Sequence, residues 1–159
     1  MIEMAYKVFV SYSSSDLNLA NFLKNLLVPH GIDVFVAEDS LLPGASLSAE
    51  LKARINSCDL FLLLWSRNSR ASSWVQQEVG AAVSADKPAI PIVLEPGLGL
   101  PGFLGDMKYL AAFRDYRQSF QWLEQEVIRR AENKNLKEAA LITLGIVGAF
   151  VLLAGSGTE

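Results

Sequence analysis

Ser72-Ser73-Trp74-Val75-Gln76-Gln77-Glu78-Val79-Gly80 lies near the middle of the 159-residue chain and reads as the start of a helix. Ser73 with Gln76 three residues on has the form of a capping box, in which side chains satisfy the orphan backbone N–H groups of a first turn, so the helix is expected to begin at Trp74. Trp74 and Glu78 are four residues apart and therefore stack on one face of the opening turns. Val75, Val79, Ala82 and Val83 fall on the neighbouring face, spaced as a core stripe. An aromatic plane beside a carboxylate, both just off that stripe, points to a ligand wall more than to a packing surface.

Working outward, the polar loop Ser66–Ser72 joins this helix to Leu60–Trp65, the most apolar segment of the domain and an expected strand buried on both faces. Tyr6–Tyr12 reads as a first strand centred on Val8-Phe9-Val10. Asp16 is placed to cap a helix in which Leu19, Phe22, Leu23, Leu26 and Leu27 repeat at helical spacing and which Pro29 and Gly31 stop. Ile32–Ala37 is a second strand, and Glu38–Ala45 a loop with the Pro43-Gly44 turn signal. Ser46 is placed to cap a helix with Leu47, Leu51 and Ile55 on one stripe. Past the Asp86-Lys87-Pro88 stop come a strand at Ala89–Leu94, irregular chain through Pro96–Leu110 and a short fifth strand in Ala111–Tyr116. A final amphipathic helix is expected over Phe120–Glu132, with Phe120, Leu123 and Val127 inward and Trp122 in its packing.

Strands alternating with helices imply an α/β domain with a parallel sheet, right-handed crossovers and helices on both faces. Such sheets bind ligands beyond the carboxyl ends of their strands, near a topological switch point. Ser11–Asp16, Glu38–Ala45 and Ser66–Ser73 all meet that description.

Composition narrows the function classes. Net charge is -3 with no long basic run, which argues against nucleic acid as the main partner. One cysteine, Cys58, allows no internal disulfide, and one Cys with one His (His30) cannot make a Cys/His metal site. Cys58 reads as a buried small residue and His30 as a surface residue at a helix end. Met1–Lys7 lacks the basic start and apolar run of a signal peptide. Beyond a charged spacer, 133–138, residues Ala139–Gly155 carry no charge. About seventeen residues at ~1.5 Å each give roughly 25 Å, the short end of what spans a bilayer. Arg129, Arg130, Lys134 and Lys137 precede the run, so the positive-inside tendency leaves the domain cytoplasmic and the C-terminus across a membrane. A helix packing on another subunit is the alternative; apolarity around the whole circumference favours lipid. Gly145 and Ala149, four apart, would let two such helices approach closely.

Three ordered motifs resemble those of Toll/interleukin receptor (TIR) domains. Phe9-Val10-Ser11-Tyr12-Ser13-Ser14-Ser15-Asp16 is similar to the family's opening box, Glu38-Asp39 through Pro43-Gly44 to the loop after its second strand, and Ser72–Glu78 to the Ser/Trp/Glu box of its NAD-cleaving members. The resemblance covers about residues 5–132, so 1–132 is read as a TIR-like domain, 133–138 as the spacer and 139–155 as a transmembrane helix. It implies a flavodoxin-like five-stranded parallel sheet and one of two roles. Some members are adaptors that bind other TIR domains; others cleave the nicotinamide–ribose bond of NAD+, giving ADP-ribose or a cyclic isomer. NAD+ is then substrate, no cofactor is implied, and self-association through TIR domains is expected. Glu78 matches the catalytic glutamate and Trp74 the tryptophan before it; Val75 departs from the polar residue many members carry there.

The residue types suit that chemistry. Nicotinamide leaves as a neutral ring, so the difficulty is the cationic charge developing on the ribose, which a carboxylate beside the sugar stabilises. A tryptophan face can stack on the ring or sugar and exclude water. Ser11, Tyr12 and Ser13 offer hydroxyls and backbone N–H groups to phosphate or ribose, with turn and cap chemistry as their alternative. Phe35 and Asp39 border the second loop and are expected to line the same cleft. A phospho-acceptor receiver on the same fold is disfavoured, because the first strand ends in serines rather than a Mg²⁺-holding acidic pair.

Overall fold

Val8, Phe9 and Val10, like every residue from Leu60 to Trp65, are buried, as expected of strands covered on both faces. The computed structural model describes residues 5–37 and 46–155, with 146–155 as backbone only. Strands β1 (Lys7–Ser11), β2 (Asp33–Val36), β3 (Leu60–Trp65), β4 (Ala89–Val93) and β5 (Leu110–Ala111) form a parallel sheet in the order 2-1-3-4-5. This is the doubly wound flavodoxin-like order, and its direction of winding reverses between β1 and β3. Ser11 is in register with Leu63 at that point.

Five helices complete the domain: α1 (Leu17–Leu27), α2 (Ala49–Ser57), the single-turn α3 (Arg67–Ala71), α4 (Ser73–Ser84) and α5 (Tyr116–Gly155). Right-handed crossovers put α1, with α5 against it, on one face and α2, with α4 against it, on the other. The Phe9 ring lies between Phe35 at 5.3 Å and Phe61 at 5.5 Å, and the Arg54 guanidinium of α2 covers Phe35 at 4.7 Å. Phe9 therefore faces α2 and α4. Ser11, two residues on, faces the same way. Each fully buried Phe or Leu in this layer contributes about 1.5–3 kcal/mol relative to exposure.

Several expected details change. The cap of α4 is Ser72, whose hydroxyl accepts from the Val75 N–H at 3.3 Å; Ser73 is already in the helix. Likewise Ser48, not Ser46, caps α2, accepting from Leu51 N–H at 3.2 Å. The loop Ser66–Ser72 contains α3, because Ser66 and Ser69 cap each other reciprocally. On α1 only Ala20, Leu23 and Leu27 are buried; Phe22 stands half exposed, edge-on to Phe120 at 5.7 Å. The fifth strand is just Leu110–Ala111, since Asp115 caps Gln118 N–H and starts α5 at Tyr116 rather than Phe120. Phe120, Leu123 and Val127 are buried as expected, whereas Trp122 is about half exposed. Cys58 is buried, and burial pushes its thiol up to about 11. His30 meets Glu124 at 2.8 Å beside Gly31, whose φ of 74° supplies the left-handed turn that ends this segment.

Helix α5 runs without a break through residues 133–138, so the spacer is helical and continuous with the segment after it. No Gly or Pro interrupts it there. It also pins the amino edge of the sheet. Asp59 Oδ2 accepts both the Lys7 N–H at 2.8 Å and Lys134 Nζ at 2.9 Å, and Lys134 also reaches the Ala5 carbonyl at 3.4 Å. One turn back, hydrogen bonds from Arg129 and then Arg130 hold the Glu126 carboxyl down to about 2, against the upward effect of burial. Leu136, Leu141, Ile142 and Leu144 are exposed. Among the described residues no helix is long and apolar enough to cross a membrane. The side chains at 146–155, which would complete the expected span, lie outside the described residues.

Candidate functional site

The buried polar side chains among the described residues are Ser11, Ser13, Ser66, Ser69, Glu78 and Ser119. Five of them, all but Ser119, come from the end of β1 and from the segments following β1 and β3 at the switch point. Burying a hydroxyl or carboxyl costs free energy unless its environment compensates it, so the concentration at one edge calls for an account.

Asp16 supplies part of it. Its Oδ2 accepts a hydrogen bond from Ser66 Oγ at 2.6 Å and another from Ser13 Oγ at 3.0 Å. One carboxylate oxygen thus ties the loop after β1 to the start of α3 after β3. Ser66 is held in turn: its N–H donates to Ser69 Oγ at 2.6 Å, and its Oγ accepts from Ser69 N–H at 3.2 Å. Asp16 makes no side-chain cap bond to α1, contrary to its expected role. Its partners elsewhere claim it.

Helix α4 supplies the aromatic and the acid. Trp74 is 5% exposed and Glu78 0%, so both sit within the buried face rather than just off it. A helical wheel locates one stripe, but α4 packs against β1, α2 and α3 together, which widens the arc removed from water. Among the described residues the Trp74 indole N–H and Ser11 Oγ have no hydrogen-bond partner. Gln76 Nε2 donates to the Arg70 carbonyl at 3.3 Å, and Gln77 Oε1 accepts the Leu47 N–H at 3.0 Å. The chain returning from the second loop is therefore fastened to the helix that bears Glu78.

The expected site residues fall into three groups. Ser11, Tyr12 and Ser13 are buried at the end of β1 and just beyond it, at the edge where α4 begins. Phe35 is lower on β2, engaged between Phe9 and Arg54. Asp39 and the rest of Glu38–Ala45 lie outside the described residues. Asp16, Ser66 and Ser69 lie in loops expected at this edge and Gln77 in the helix start beside them, but their hydrogen-bonding roles were not read. Ser66 and Ser69 have capping-box spacing, but Ser in place of Glu or Gln hides the motif.

Once opened to a ligand, a buried carboxyl, an aromatic plane one helical turn before it and hydroxyls on the adjoining strand end would offer partners to a cationic or sugar-like group. Charge stabilisation is stronger there than in water.

Fold and edge together define a doubly wound α/β domain whose polar residues converge at the switch point. The TIR domain family model matches residues 8–127, and the chain belongs to that family. Solved structures with similar folds include the TIR domain of the Toll-related receptor TRR-2 from the lower metazoan Hydra magnipapillata, at 24% identity over 79% of this chain and 99% of that one, TM-score 0.62. A metazoan TIR-STING receptor from C. gigas is similar at 23% identity over 76% of this chain and 41% of that one, TM-score 0.55. The TIR domains of the activated Roq1 resistosome, which directly recognizes the pathogen effector XopQ, are similar at 21% identity, covering 80% of this chain and 84% of that one, TM-score 0.52. No protein of curated function matches the chain.

Proposed function

We propose that this TIR domain is an NAD+ glycohydrolase in stress or immune signalling, with Glu78 as the catalytic carboxylate and Trp74 as the wall against which the nicotinamide ribose is held. The observation that carries the reading is the placement of Glu78, fully buried on α4 four residues after a buried tryptophan, at the carboxyl edge of the sheet. As the C1′–N bond breaks, the bonding pair leaves with neutral nicotinamide. The Glu78 carboxylate stabilises the charge developing on the ribose. Water, or the adenine of the same molecule, then takes C1′, giving ADP-ribose or a cyclic isomer. Ser11, Tyr12 and Ser13 supply hydroxyls and backbone donors for ribose or phosphate, and Phe35 and Asp39 are assigned as further substrate-binding residues.

Full burial of Glu78 means that this edge must open for substrate. Self-association through TIR domains is the event to which we assign that opening, and the Roq1 TIR domains in an activated resistosome are a precedent for assembly. The same burial favours a second reading, a non-catalytic TIR adaptor acting by homotypic binding. We further propose that Ala139–Gly155 anchors the domain on the cytoplasmic side of a membrane as a single C-terminal helix. Its absence of charge and the exposure of Leu141, Ile142 and Leu144 support this. Recovery of the full chain in the soluble fraction without detergent would refute the anchor.

Incubating purified protein with NAD+ and separating the products by chromatography tests the enzyme reading. Nicotinamide release that Glu78→Ala and Glu78→Gln abolish is expected. Equal release by those variants sinks the catalytic assignment, and no release at any protein concentration leaves the adaptor.

A further inference from the structure

Gln77 precedes Glu78 on α4, yet its side chain turns away to accept the Leu47 N–H at 3.0 Å. Leu47 is an unusual anchor. It lies outside α2, which begins at Ala49 behind the Ser48 cap, and yet its side chain is only 6% exposed. Its N–H is thus out of reach of that helix's own hydrogen-bond ladder. Ser48 ties the segment 46–48 to α2 through its cap bonds, whereas Leu47 ties it to α4 through a single amide bond, and the acceptor belongs to the helix of the candidate acid. On the other side of the same turn, Gln76 fastens α4 to α3 through the Arg70 carbonyl. Glu78 follows these two tethers directly.

We propose that Gln77 is a positioning residue: its amide oxygen couples the chain leaving the second loop to the turn of α4 that carries Glu78. A shift of 46–48 is thereby transmitted to the acid through this hydrogen bond in addition to the packing of α2 on α4. The role in turnover rests on the hydrolase reading above; the clamp itself does not. The chemistry required at position 77 is an acceptor, not an amide. Glutamate offers an acceptor of the same reach, and its charge is tolerated because Gln77 is exposed. Alanine removes the acceptor and keeps the helix.

The test compares wild type, Gln77→Ala and Gln77→Glu in full-length protein by amide hydrogen exchange at Leu47 and by nicotinamide release. In Gln77→Ala, Leu47 exchange is expected to quicken by about tenfold, the loss of one net hydrogen bond. Its kcat is expected to fall by about tenfold or more, because small misplacements of a reacting group are costly, with KM nearly unchanged and Tm lowered by only a few degrees. Gln77→Glu is expected to restore both. A Leu47 amide that stays protected in Gln77→Ala overturns the clamp. Fast Leu47 exchange with unchanged kcat overturns the positioning role. If wild type releases no nicotinamide, the hydrolase reading and Gln77's part in turnover fall together, and Leu47 exchange alone decides the clamp.

Discussion

The two edges of the sheet handle polar groups in opposite ways. At the amino edge, Asp59 and Lys134 are paired at 2.9 Å and each keeps about a quarter of its side chain in water, at 25% and 21% exposure. Charges held this way cost little and stabilise modestly. At the carboxyl edge, Ser11, Ser13, Ser66, Ser69 and Glu78 are all within 4% of full burial. Withdrawing such groups from water costs free energy unless hydrogen bonds replace those to water. One edge fastens the fold with a partly solvated charge pair; the other closes its polar groups off from water, with Asp16, Ser13, Ser66 and Ser69 hydrogen-bonded to one another.

The largest effect that would break this contrast is at Glu78. Replacing it with Gln is expected to lower nicotinamide release by at least about 10²-fold while Tm stays level or rises, since a neutral amide is easier to bury than a carboxylate. A marked fall in Tm would show instead that the acid supports the fold. Next comes Asp16→Ala, which strands the Ser13 and Ser66 hydroxyls. Urea unfolding should show a loss of about 2 kcal/mol, and Asp16→Asn, which keeps an acceptor, should lose less. At the amino edge, Lys134→Met should lose only about 0.5–1 kcal/mol, and the deficit should shrink in high salt. If Lys134→Met proves the more damaging, the contrast is inverted.

The smallest effect is in acid. The Glu126 carboxyl titrates lower in the folded chain, at about 2, than its ordinary value of 4.5. Its contribution is therefore complete above the unfolded value and is lost as pH falls towards about 2. The Tm difference between wild type and Glu126→Gln should be constant above pH 5 and vanish across that window. A difference that persists at pH 2 would mean packing, not charge, sets it.

The strands were legible because residues such as Leu60–Trp65 form unbroken apolar runs, a signal that needs no knowledge of neighbours. Trp74 and Glu78 were legible as a pair because helical spacing alone brings them together. Their burial was not, because it depends on α2 and α3 lying against α4. Cap positions slipped by one or two residues at Ser72 and Ser48, where neighbouring serines are chemically equivalent candidates. Asp16 and Gln77 escaped notice as ties for a simpler reason: their partners Ser66 and Leu47 are 50 and 30 residues away along the chain. Local pattern carries no trace of such bonds.

The unbroken course of α5 has a consequence in angular terms. A flexible joint would let the residues beyond Lys134 swivel freely, but a continuous helix fixes their azimuth relative to the sheet. Each residue advances that azimuth by about 100°. Adding one alanine after Asn135 would leave composition and hydropathy almost untouched, yet turn Leu141 and Ile142 by more than a quarter of a circle. Whatever those side chains meet would then face a different side of the domain.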